Sequence, residues 1–165
     1  VADLVPPGAD VMIVYDPTLL DYSSQHAKKD RRPIGDHKGM GYEYVSCIAI
    51  DPHSEDLLGV VHDTVISAAG PDDADVMDYD YEPLFANFTA KEKQRLRENH
   101  RHQMAVHMRG LAPVFAGRHI IDVADREFDD VFLLHNARTM GRSFVIRSQP
   151  NRNVQVPRAA WIPDE

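Results

Sequence analysis

IVYDPTLLDYS, residues 13–23, carries the feature on which the fold turns. An apolar run, VMIVY at 11–15, stops on a carboxylate, Asp16, and Pro17 and Thr18 follow at once. Such a run predicts a short buried strand over 11–16. A second stretch has the same form: HIIDVAD, residues 119–125, is an apolar strand that stops on Asp125. Between them, YEYVSCIAI (42–50) and LLGVVHDTVIS (57–67) are rich in β-branched and aromatic residues and predict two more strands. The turn DPHSED joins these two, and a polar, glycine-containing loop is expected over 23–41. Short connections between consecutive strands favour antiparallel pairing, so 11–67 reads as a three-stranded meander.

The rest of the chain alternates. A helix is expected from Thr89, where Thr89 and Glu92 have capping-box spacing. Leu96, Met104, Met108 and Leu111 give it an apolar stripe, Lys91, Lys93, Arg95, Arg97 and Arg101 face elsewhere, and Gly110 and Pro113 are the expected stop. Phe128, Val131, Phe132, Leu134 and Ala137 suit a second helix packed on a sheet, with Gly141 as its terminator. SFVIRS, residues 143–148, is the last strand, and no helix is expected in the tail from Gln149. The resulting order, β-β-β-α-β-α-β, predicts an α/β domain. Its mixed five-stranded sheet has three antiparallel strands, then parallel crossovers, with flanking helices.

The chain has 165 residues, enough for one domain with a real core. Eighteen Lys and Arg against 26 Asp and Glu leave a formal charge of −8, which excludes a broadly basic surface. It does not exclude a metal site, which must itself be acidic. Asp72, Asp73, Asp75, Asp78 and Asp80 lie in a stretch, 70–88, that reads as a solvated connection. The single cysteine, Cys47, permits no internal disulfide and reads as a buried strand thiol. No secretory leader is apparent, and no apolar stretch approaches the ~18 residues of a membrane span, so a cytoplasmic location is expected. The chain begins on Val1, which suggests a piece of something longer.

Asp16 and Asp125 matter together. If their strands are parallel neighbours, both carboxylates emerge at one sheet edge, where ligands bind in such sheets. Two carboxylates forced together repel unless a cation lies between them, and a hard divalent ion prefers oxygen ligands. Each acid also has a plain structural reading: Asp125 as a helix N-cap, Asp16 as a turn residue before proline.

The stretches DPTLLDYS, IGDHKGMGYEYVSCIAID, LLGVVH, DVADREFDD and SFVIRS, in this order, resemble the catalytic core of DDE-type transposases of bacterial insertion sequences, in the cut-and-paste branch. In that family the first strand ends on Asp-x-Thr, the fourth on Asp-Arg-Glu, and a Phe-Val-x-Arg-Ser strand follows. The resemblance covers most of 11–148 and implies a ribonuclease-H-like fold. It implies Asp16 and Asp125 as catalytic, metal-binding carboxylates for Mg²⁺ or Mn²⁺, and Arg147 beside them on the DNA backbone. Thr18 would support Asp16. The family cuts transposon-end DNA and joins it to target DNA through two ions, and a homodimer is implied for the full-length protein. The family's third carboxylate, in a Tyr-x2-Arg-x3-Glu-x6-Lys pattern, has no counterpart here. Residues 1–165 are therefore expected to be a single core that stops short of it, and this chain alone is not expected to transpose.

Lys28, Lys29, Arg31, Arg32 and Lys38 form a basic loop that is either solvated or in contact with phosphates, and the resemblance favours phosphates. The nine histidines, among them His100, His102 and His107, are expected to be ordinary and solvated. Two alternatives stand beside the transposase core. One is a non-catalytic relative that binds DNA or inhibits. The other is a different ribonuclease-H-like nuclease drawing a further acid from Glu127 or Asp122, of which Glu127 is the better placed and would act as a supporting group. Asp122 is three residues from Asp125 and should point to the opposite face.

Overall fold

The computed structural model describes residues 1–35, 38–71, 89, 91, 100–148 and 150. Among the described residues seven strands form one sheet: β1 (Asp10–Asp21), β2 (Arg32–Ile34), β3 (Gly39–Ile50), β4 (Leu57–Ser67), β5 (Gly70–Pro71), β6 (His119–Ala124) and β7 (Ser143–Ile146). Their order is β5-β4-β3-β1-β6-β7, with β2 paired to β3. β1, β3 and β4 are the expected antiparallel meander, and β6 and β7 join beside β1 in parallel. Helix α1 (His100–Val114) precedes β6, and α2 (Val131–Thr139) links β6 to β7. This strand order, with helical crossovers into parallel strands, is the ribonuclease-H-like α/β arrangement. Two short strands, β2 and β5, raise the count from five to seven. The 23–41 loop is interrupted by β2, and the 70–88 connection opens with β5, while the acidic run Asp72–Asp80 lies outside the described residues.

Burial alternates along the strands and separates two faces. Val11, Ile13 and Tyr15 of β1, Val45, Cys47 and Ala49 of β3, and Ile120 and Ala124 of β6 are buried. Together with Met104, Ala105, Met108 and Leu111 of α1, Leu133 and Ala137 of α2, and Phe115 and Phe128, most of them make one core. Each large side chain removed from water here contributes about 1.5–3 kcal/mol. The residues between them, such as Met12, Val14, Ile48, Ile121 and Val123, are half-buried on the other face.

Some boundaries differ from expectation. β1 does not stop at Asp16 but runs to Asp21 along β3. What stops is its second partner, because the parallel pairing with β6 ends at Tyr15 and Ala124. Beyond Tyr15, β1 is an edge, which is where a strand tolerates the missing donor of Pro17. Gly41 of β3 is fixed by its neighbour, since a Cβ there would collide with the carbonyl of Leu20.

Neither Gly110 nor Pro113 ends α1; both lie within it. The buried stripe Met104, Met108 and Leu111 carries the helix through them. The chain leaves through the Phe115–Arg118 turn, at Gly117 with φ of 76°. Thr89 is described as non-helical, Lys91 is helical, and Glu92 and Leu96 lie outside the described residues. In α2 the side chains of Leu133, Asn136 and Ala137 face inward.

Candidate metal centre

The register brings the two acids into one row. In the β1–β6 ladder, Tyr15 pairs with Ala124, so Asp16 and Asp125 follow as the next residues on adjacent parallel strands. In the β6–β7 ladder, Ala124 pairs with Ile146, and Arg147 follows. Its backbone N–H donates to the Ala124 carbonyl at 3.3 Å, which keeps Arg147 level with Asp125. Residues that share a register row in parallel strands share a face. Tyr15 and Ala124 belong to the core face, so Asp16 and Asp125 belong to the opposite face, at the carboxyl ends of the paired segments. All three side chains are exposed.

Each acid has a local brace. The Thr18 hydroxyl donates to Asp16 Oδ2 at 3.3 Å, as i and i+2 on a strand allow. Opposite, Ser46 donates to the Asp16 carbonyl at 3.4 Å. Asp125 is extended and caps a 3-10 turn, Arg126–Phe128, its Oδ1 accepting from the Glu127 N–H at 2.8 Å. The cap uses one oxygen and leaves Oδ2 available, so the capping role and metal ligation are compatible. The donor set is all oxygen and anionic, which fits a hard divalent ion with water completing its shell. Among the described residues no group of three or more His, Cys, Asp or Glu is spaced to hold a metal.

Asp122 is no part of this row. It is fully buried on the core face, accepting from the Tyr15 hydroxyl at 2.8 Å and from Arg142 Nη1 at 2.8 Å. Arg142 in turn donates to the Met108 carbonyl. Burial pushes the Asp122 carboxyl up, and the Arg142 charge and the Tyr15 hydrogen bond oppose it. Its neighbour Tyr15 is raised too, first by burial and then by the Asp122 charge. With one oxygen spent on both donors inside the core, Asp122 is a structural ion pair and is ruled out as a further site acid. Glu127 does lie at the correct edge, with a side chain 56% exposed.

The basic loop is partly committed to its own fold. Arg31 donates from Nε to the Lys28 carbonyl at 2.8 Å, and from Nη1 to the Tyr22 and Ser23 carbonyls at 2.7 and 3.1 Å. Lys28 Nζ lies over the Tyr22 ring, 4.7 Å from its centroid. Lys29 and Lys38 are exposed, and Arg32 is half-exposed on β2. The loop begins past Asp21, five residues beyond Asp16, and at about 3.3 Å per residue that is about 17 Å along the strand.

The histidines are not all solvated. His107 is fully buried between α1 and the sheet. Its Nδ1 is 2.9 Å from Cys47 Sγ, its Nε2 is 2.7 Å from Thr64 Oγ1, and His62 stacks on its ring at 4.2 Å. Burial drives the His107 pKa down to about 3 and pushes the Cys47 thiol far up, as the expected buried strand thiol. Both groups are therefore neutral, and one ring nitrogen of His107 donates while the other accepts, between Cys47 and Thr64. The signal was present in the sequence, because His107 falls on the same stripe as Met104, Met108 and Leu111 by the i+3 and i+4 rule. A polar residue in an apolar stripe needs partners, and no sequence pattern names Thr64 and Cys47 as those partners.

At the other end of the strands a second polar chain occurs. Ser143 Oγ is 2.9 Å from His119 Nε2, and His119 Nδ1 is 2.9 Å from Asp10 Oδ1. The order is that of nucleophile, base and orienting acid. An acyl-transfer site needs fixed donors in a water-poor setting, whereas His119 and Asp10 are 46% and 37% exposed. This chain reads as surface hydrogen bonding.

No protein-family model matches this sequence, and no curated protein matches it. Among solved structures, the piggyBac transposase in a synaptic complex with hairpin DNA, determined by cryo-EM, superposes with a TM-score of 0.40 and 14% identity. The likeness covers 96% of this chain and 27% of that one, so this chain spans about a quarter of that protein's length. So remote a likeness decides nothing about activity, and the fold assignment rests on the strand order itself.

Proposed function

We propose that this chain is a metal-binding core of a DNA transposase of the DDE type, similar to those of bacterial insertion sequences. The observation that supports it is the register row: Asp16, Asp125 and Arg147 directly follow the last residues paired in the parallel ladders of β1, β6 and β7. In this reading Asp16 and Asp125 hold Mg²⁺ or Mn²⁺. Ions held there would supply activation of an attacking oxygen and charge stabilisation on the leaving one. Thr18 and the Glu127 N–H orient the two carboxylates before an ion arrives. Arg147 neutralises a backbone phosphate beside Asp125. Lys28, Lys29, Arg32 and Lys38 meet DNA farther along, and Arg31 braces the loop that carries them. The partners are transposon-end and target DNA, and the assembled enzyme is a homodimer.

Metal binding is the step that this chain's own residues can be tested for. Mn²⁺ at ten times its dissociation constant stabilises a fold by about 1.4 kcal/mol, a few degrees in melting temperature for this size. Thermal unfolding with and without millimolar Mn²⁺ should show that rise in the wild type and a smaller one in Asp125→Asn. No rise in the wild type, or an equal rise in the variant, refutes the site.

A further inference from the structure

The carboxylate of Asp125 is only as fixed as the turn it caps. That turn, Arg126–Phe128, is three residues long and closes on itself through Phe128 N–H to the Asp125 carbonyl and Asp129 N–H to the Arg126 carbonyl, both at 3.2 Å. An ion held between Asp16 and Asp125 draws on both carboxylates, and so short a turn yields unless it is braced from outside.

The brace comes from the first turn of α1. Arg101 Nε donates to the Glu127 carbonyl at 2.5 Å, and its Nη1 lies 4.0 Å from Asp130 Oδ2. His100 lies edge-on to Phe128, ring centroids 5.4 Å apart, and Phe128 is itself fully buried in the core. His100 Nδ1 is 2.6 Å from Glu43 Oε1, and Nε2 faces Glu127 Oε2 at 3.8 Å. Glu43 belongs to β3, opposite Leu19 of β1, the strand that carries Asp16. His100 thus touches the strand beside the first acid and the turn after the second.

We propose that His100 and Arg101 are positioning residues for the second metal-binding carboxylate, with Glu43 orienting His100. This rests on the metal-site reading above. The pair holds the turn after β6 so that Asp125 stays in the row of Asp16 when an ion binds. Groups that orient metal ligands without touching the metal commonly change affinity by about 10–100-fold.

The test is Mn²⁺ titration of the full chain, read as free Mn²⁺ by electron paramagnetic resonance, alongside amide exchange of residues 127–129. Arg101→Ala and His100→Leu should each weaken Mn²⁺ about 10-fold and speed exchange in the turn. His100→Asn should restore most of the affinity, because its amide nitrogen replaces Nδ1 toward Glu43. Arg101 keeps 41% of its side chain exposed and lies outside the apolar core, so its variant is the less disruptive of the two where a His100 variant is strained. Wild-type affinity in both Arg101→Ala and His100→Leu overturns the proposal, as does a loss that follows the melting temperature and leaves turn exchange unchanged. Absence of Mn²⁺ binding in the wild type is a separate result, which removes the metal site itself.

Discussion

His107 gives the fold a measurable dependence on pH. In the unfolded chain an imidazole titrates near 6.5, and in the folded protein burial holds His107 at about 3. The folded pKa is depressed, so between these values the unfolded state binds the extra proton. Stability is therefore full above about pH 6.5 and falls as pH drops toward 3. Between pH 8 and pH 5 the linkage amounts to about 2 kcal/mol. Because His107 is fully buried, no solvent screening reduces that figure. The perturbation is His107→Gln, which cannot titrate and retains an amide for Thr64 or Cys47. It will be less stable at pH 8, since Gln does not reproduce the ring stacked on His62. The decisive quantity is the slope: urea unfolding at pH 8 and pH 5 should show a smaller loss in the variant, by about 2 kcal/mol. The histidines out of contact with His107 and the Asp122 pair are common to both proteins and cancel. Equal losses in wild type and variant would refute the account of His107 as a buried neutral base.

Two further outcomes follow from the geometry. Removing Asp122 alone (Asp122→Leu) leaves the Arg142 guanidinium buried without its charge partner, at a cost of about 3–5 kcal/mol, and adding Arg142→Met should recover most of it; additive losses in denaturant unfolding would contradict the pairing. DNA binding, measured by mobility shift, should be weak and fall steeply from low to physiological salt, with a shallower slope in Arg147→Ala. No specific nicking should appear, because these 165 residues carry no Tyr-x2-Arg-x3-Glu-x6-Lys pattern. Nicking abolished by Asp16→Asn would show that the two acids suffice.

The sequence by itself determined the order of the five main strands and of the two helices, though not the short β2 and β5, and the two places where an apolar strand meets an acid. Those features are local: hydrophobic period, β-branched content and the break at Asp16–Pro17 need no knowledge of neighbours. It also placed Cys47 in a strand and Asp122 on the face away from Asp125, because side chains alternate with period two. Boundaries were less legible where partners decide them. β1 runs on to Asp21 because β3 continues to pair with it, and α1 passes through Gly110 and Pro113 because its buried stripe outweighs their propensity. Only the tertiary structure decided that Asp16, Asp125 and Arg147 share one row, since register between strands that are distant in sequence, or joined through a helix, is set by packing. The same holds for His107 with Cys47 and Thr64, Asp122 with Tyr15 and Arg142, and His100 with Glu43. Each is a polar group that burial obliges to find a partner, and the partner lies wherever the fold brings a donor or acceptor within reach.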